Sequence, residues 1–301
     1  MGFAGALNQA NDPSPGGVPR TGRLQRSFGS RLRTGVRLVA IGFRTAWEDP
    51  RLLAAPFLSG LATLAVVTIV WLVSGIGPSA FAEGEELGFA EWVVLGVITY
   101  CAAVFAVLAE SFVVGAATLH FDRRDARADR VWTVVRPRLG ALVRWAFIKA
   151  TVSLVFQLLR QKLQQGQTRR GGASMALGAA ETAWATLTVL VVPVILYEGE
   201  RPGAAIRRSM SLFRRTWGQT LVGGFGLGIA LTVLTFAAIL VIVPLVLVNP
   251  GFGVAVGVIL LVLIQLVGSV AAGALVAALY RYATTGKLPG GYRPAEVAIT
   301  A

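Results

Sequence analysis

The chain has 301 residues, 55% hydrophobic and only 14% charged, with a mean hydropathy of +0.67. Soluble domains carry about 25% charged residues, so the composition excludes an ordinary globular protein and predicts an all-α, polytopic integral membrane bundle. The balance of 28 Lys and Arg against 15 Asp and Glu gives a net +13. Because these cations flank apolar stretches, the expected partner is an anionic lipid bilayer and not nucleic acid.

Residues 1–23 are expected to form a disordered tail, with Pro13, Pro15, Gly16, Gly17 and Pro19 interrupting any regular element. No continuous apolar h-region is found there, so no cleavable signal peptide is expected. Residues 24–286 form the membrane domain, and 287–301 a second tail.

Six helical spans are predicted, because lipid offers unpaired backbone groups no water partner. The first is Leu52 to Gly75, without a charge. The second, Phe89 to Leu119, contains Glu91 and Glu110. The third, Leu139 to Leu159, holds Arg144 and Lys149; the fourth, Ala173 to Tyr197, holds Glu181 and Pro193. Spans five (Thr220 to Val248) and six (Phe252 to Tyr280) are joined by Asn249-Pro250-Gly251, a strong turn signal. Pro193 and Pro244 should kink spans four and five. Gly224-x-x-x-Gly228 and Gly253-x-x-x-Gly257 would let spans five and six approach closely.

The connecting segments set the orientation. With strict alternation and the N-terminus inside, 22 cations fall in the cytosol and four outside, as the positive-inside rule favours. Both termini are then cytosolic and the protein sits in the cell membrane. Arg160, Lys162, Arg169 and Arg170 are the exception. A re-entrant hairpin of spans three and four would bring them inside; the six-span count takes both as crossing.

Apolar stripes recur before alternate spans. Val36, Ala40, Phe43 and Trp47 precede span one, and Ile206, Met210, Phe213 and Trp217 precede span five at the same spacings, each on one helix face. Arg37 and Arg44 accompany the first stripe, Arg207 and Arg214 the second, with Arg208 and Arg215 beside them. A weaker copy, Ala128, Trp132, Val135 and Leu139 with Arg136, precedes span three. The simplest organisation is three units (31–119, 128–198, 204–282), each a basic amphipathic cytosolic helix followed by a two-helix hairpin. Such helices suit the headgroup region, with arginines on anionic lipid and indoles at the interface. The plainer alternative is that they simply begin the spans.

Several short blocks resemble an uncharacterised family of prokaryotic multi-pass membrane proteins, known as a domain of unknown function. They are Trp47-Glu48-Asp49-Pro50 through Pro56-Phe57-Leu58-Ser59-Gly60, then Trp184, Val191 to Val194 and Glu198-Gly199. Arg208-Ser209 through Trp217-Gly218 and Leu279-Tyr280-Arg281-Tyr282-Ala283 complete them. The resemblance spans residues 31 to 286 and implies a six-helix membrane protein with no established chemistry. A more distant likeness is to the membrane region of some glycerophosphodiester phosphodiesterases, whose catalytic barrel has no counterpart here.

Ionisable groups inside spans are the strongest functional leads. Glu110 and Lys149 lie at similar depth and can pair between spans two and three. Arg144 is close enough to the surface to snorkel. Glu181 has no obvious cationic partner. A single Cys101 excludes an internal disulfide, and a single His120 excludes a site of several imidazoles. No metal or cofactor is expected. The His120–Asp129 loop holds three aspartates, but its arginines neutralise them and no phosphate loop follows. The expectation is a non-enzymatic protein organising lipid, a protein partner or a second copy of itself at the inner membrane face. The alternatives are a transporter or channel using Glu110, Lys149 and Glu181, and a membrane enzyme acting on lipid phosphates.

Overall fold

A computed structural model describes residues 51–75, 88–121, 128–165 and 171–286, with the side chains of 51, 52, 164, 165, 171 and 215–226 outside that description. The two tails and the first basic stripe, with Arg37, Arg44 and Trp47, lie outside the described residues. Within them every regular element is helical: α1 Arg51–Ser74, α2 Phe89–Phe121, α3 Ala128–Val135, α4 Leu139–Gln165, α5 Gly171–Leu187, α6 Val191–Glu198, α7 Pro202–Val248 and α8 Pro250–Thr285. Six stretches of these are long and apolar enough to cross a membrane. The protein is a polytopic helical bundle.

Its packed core lies toward one end. Val107, Val113 and Val114 of α2 meet Val131 and Val135 of α3, Leu142 and Trp145 of α4, Leu190 to Leu196, Leu212 of α7 and the Val270–Leu279 segment of α8. Toward the other end the helices present bare apolar side chains. Leu72, Phe89, Leu247 and Val248 are each at least 79% exposed. For a spanning helix that surface is solvated by acyl chains, so it needs no protein cover. The arginines Arg136, Arg144, Arg207 and Arg214 are exposed around the packed end.

The last two spans form an antiparallel hairpin whose turn is a single residue. Asn249 is extended, and its side-chain oxygen accepts a hydrogen bond from the Phe252 amide at 3.1 Å. Pro250 follows at the first helical position, where its missing N–H costs nothing. Close approach depends on α8: a Cβ at Gly253 would overlap the Val246 backbone, and one at Gly257 would lie 3.0 Å from Ile242. Gly228 of α7 has nothing within 4 Å of that position. The expectation that Gly228 is a packing residue is therefore wrong, and Gly224 is among the residues whose side-chain surroundings are not described. The unforeseen contacts are Gly268 against Leu231 and Gly273 against Val113.

The two prolines expected to kink their spans behave differently. α7 runs through Pro244 unbroken. Around Pro193 the fourth span divides into α5 and α6, separated by Thr188–Leu190. Pro193 has no N–H for the carbonyl four residues back, and the chain tightens there. The Val189 amide bonds Thr186 O at 3.4 Å and the Val191 amide bonds Thr188 O at 3.0 Å. Leu187 O thus loses its helical partner at a buried point, and the Ser209 hydroxyl of α7 donates to it at 2.7 Å. Ser209 is fully buried. Ser209→Ala leaves that carbonyl orphaned and should cost about 1–3 kcal/mol, seen as a lower midpoint of detergent-solubilised thermal unfolding.

The amphipathic stripes face differently from expectation. Along the stripe segment of α7, Ala205, Ser209, Leu212 and Phe213 are buried, while Ile206 and Met210 are only partly covered. That face packs on α6 and does not rest on lipid. On α3, Val131 and Val135 are buried, and Trp132 is 42% exposed. The rotation follows from Gly115, whose missing side chain admits Val131 Cγ1. The Trp132 indole instead stacks on Phe112, ring centroids 5.8 Å apart.

Candidate functional site

Among the described residues, three ion pairs join helices of the bundle. The first lies between α2 and α4, where Lys149 Nζ stands 3.7 Å from Glu110 Oε2. The expected pair is thus formed. Beside it the Thr151 hydroxyl donates its one proton to the Phe147 carbonyl at 2.9 Å. The Tyr100 hydroxyl, 2.8 Å from Thr151 Oγ1, must therefore be the donor of that bond. The Tyr100 ring also lies against Phe147, 5.0 Å between centroids.

The second group joins α4 to α5, where Arg160 Nη2 donates to Glu181 Oε2. This corrects the expectation that Glu181 lacks a cation. α4 does not stop at Leu159 but continues to Gln165, because arginine, lysine and glutamine propagate a helix well. Arg160 is carried on that extra turn to the level of Glu181.

The third group gathers at the C-terminus of α6, and its geometry is the densest. Arg208 Nε of α7 donates to both Glu198 oxygens, at 2.8 and 3.2 Å. The Tyr280 hydroxyl of α8 donates to Glu198 Oε1 at 3.3 Å. The Tyr280 ring stacks on Tyr197 at 5.7 Å. One carboxylate thus ties three helices. Gly199 closes α6 with φ of 71°, a conformation that disfavours any residue with a Cβ. A Cβ there would also sit 2.7 Å from Arg138 Nη2. The Arg138 guanidinium therefore lies over the helix end, where the macrodipole is negative.

Arg208 is thus occupied within the protein, against its expected place among headgroup-facing arginines. The reason is the anchored carboxylate of Glu198, ten residues earlier on the adjoining helix. Arg136, Arg144, Arg207 and Arg214 are exposed, whereas the side chains of Arg215 and Trp217 lie outside the described set. Asp122 and Asp125 of the aspartate loop also lie outside the described residues. Glu198, Tyr280 and Arg138 were missed as a group. Glu198 and Tyr280 gave no signal beyond membership of short motifs and Arg138 gave none, since contacts across 82 residues leave no local periodicity.

Fold and polar groups together define a polytopic helical membrane protein with ion pairs between its helices. Residues 87–290 match the model of a family of unknown function, DUF6159. The match covers more than half of the chain, which therefore belongs to that family. It begins after the Trp47–Gly60 block, so that part of the resemblance is outside it. No curated protein and no solved structure matches. The distant likeness to glycerophosphodiester phosphodiesterases is accordingly not shown.

Proposed function

We propose that the chain is a non-enzymatic protein of the cell membrane whose basic end faces the cytosol and engages anionic lipid. The observation that carries this reading is the exposure of Arg136, Arg144, Arg207 and Arg214 around the one packed end of the bundle. A packed core holds their helices in place, so the charges form a fixed array. Strict alternation of the six spans assigns 22 cations of the connecting segments to one side against four to the other, a distribution that favours cytosolic termini. A juxtamembrane cation beside an anionic leaflet contributes about 1 kcal/mol. The Trp132 indole at the rim suits the same depth.

A transport reading draws on Glu110, Lys149 and Glu181, and on the break in the fourth span. Against it, Glu110 is paired with Lys149 and Glu181 with Arg160. The carbonyl freed at the break is satisfied by Ser209 within the protein. Lipid engagement is the better-supported function.

The test uses the purified full chain in neutral detergent. Added phosphatidylglycerol should raise its thermal midpoint by several degrees more than phosphatidylcholine, and the difference should shrink in high salt. Substituting glutamine at 136, 144, 207 and 214 together should remove most of that difference. Equal stabilisation by both lipids would overturn the proposal.

A further inference from the structure

Between α1 and α2 lies a cavity of about 380 Å³. Leu58 and Ala62 of α1 and Phe105 and Phe112 of α2 line it, Ser59 gives it its one hydroxyl, and Ala128 opens α3 at its edge. The lining runs from Ala54 to Ala62 along one helix and from Phe105 to Phe112 along the other. At 1.5 Å per residue that is a slot about 10–12 Å long, parallel to the helices.

Its chemistry selects the occupant. An apolar cavity does not hold water, and left empty it forfeits the dispersion contacts of its walls. α1 is a spanning helix with Phe57, Leu58, Leu61 and Leu64 exposed, so what reaches the slot comes from the bilayer. An acyl chain runs in the same direction as the slot and matches its walls. Ala128 begins α3, whose next two residues are Asp129 and the exposed Arg130. Arg130 is the cation nearest in sequence to the slot lining, two residues from Ala128, and its exposed guanidinium is the group that would meet a negative headgroup. Trp132, stacked on the wall residue Phe112, places an indole beside the same edge.

We propose that this slot is a site for one anionic glycerophospholipid, with an acyl chain between α1 and α2 and its phosphate on the Arg130 side. The site rests on the anionic-lipid reading above but uses a residue outside its four arginines. The experiment is native mass spectrometry of the purified full chain with equimolar phosphatidylglycerol and phosphatidylcholine. The wild type should keep one phosphatidylglycerol at collision energies that strip other lipid. Ala62→Phe, which fills the slot, should cut that retention at least tenfold; Ala55→Leu is the milder second filling. Arg130→Gln should keep a bound lipid but lose several-fold preference for phosphatidylglycerol.

If both filled variants fold and retain phosphatidylglycerol as the wild type does, the slot is not the site. If the wild type retains neither lipid, the proposal also falls. In either case a salt-sensitive stabilisation by phosphatidylglycerol, largely removed by the four glutamines, would leave the surface reading standing.

Discussion

Lys149→Met is expected to destabilise the chain by about 2.5 kcal/mol, while Glu110→Gln combined with Lys149→Met recovers most of that loss. Glu110 lies eleven residues from Phe121, the end of α2, roughly 16 Å along the helix. At such a depth a carboxylate without its cation must take a proton, drag in water or remain charged in hydrocarbon. Each route costs free energy that the wild type avoids by pairing. The Nζ to Oε2 separation of 3.7 Å is that of an ion pair and longer than a hydrogen bond. The attraction is therefore mainly Coulombic, and its strength comes from the low dielectric around it. The double variant removes both charges and leaves two polar or apolar groups that lipid tolerates. A double-mutant cycle of unfolding in bicelles checks this. Equal losses in the single and double variants would mean that the unpaired Glu110 carboxylate is not the source of the loss.

Much of the fold was readable because lipid enforces simple rules. Long apolar runs must be helices, and Asn249-Pro250 carries the side-chain cap and preset φ that start α8. Glu110 and Lys149 were found together because depth can be counted along a helix. What failed was the choice of face. Hydrophobic counting put the Ile206, Met210 and Phe213 stripe of α7 against the headgroup region, yet Phe213 is buried with Ala205 and Ser209, while Ile206 and Met210 are partly covered. Between membrane helices there is no hydrophobic reward for turning a large side chain away from lipid, whereas small residues permit backbone approach. The same physics hid Arg160, which composition assigned to a loop and helix propagation placed on α4. It hid the Glu198, Arg208 and Tyr280 cluster as well, whose members meet only once three helices have assembled.

A glycine series on the α7–α8 hairpin should give graded results that no sequence motif distinguishes. Gly253→Ala is expected to be the most damaging, at about 3 kcal/mol or more, since its new methyl overlaps the Val246 backbone and only separation of the helices relieves it. Gly257→Ala meets Ile242 Cγ2 at 3.0 Å, and a rotation of that side chain relieves most of the contact, leaving about 1 kcal/mol. Gly228→Ala opens onto empty space, so the gain in helix propensity should stabilise α7 by about 0.5–1 kcal/mol. The signs differ although Gly228 and Gly257 both belong to small-xxx-small patterns. Unfolding midpoints of the three variants in one detergent provide the measurement. A Gly228 variant as damaged as Gly253→Ala would place α7's own glycines in the helix contact and displace the register that Gly253, Gly257 and Gly268 define. Because Gly253 lies four residues past Asn249, the strain would fall on the hairpin's turn. The Asn249 cap on the Phe252 amide would then be the first bond lost, and the helices would part at the turn while the core end stayed packed.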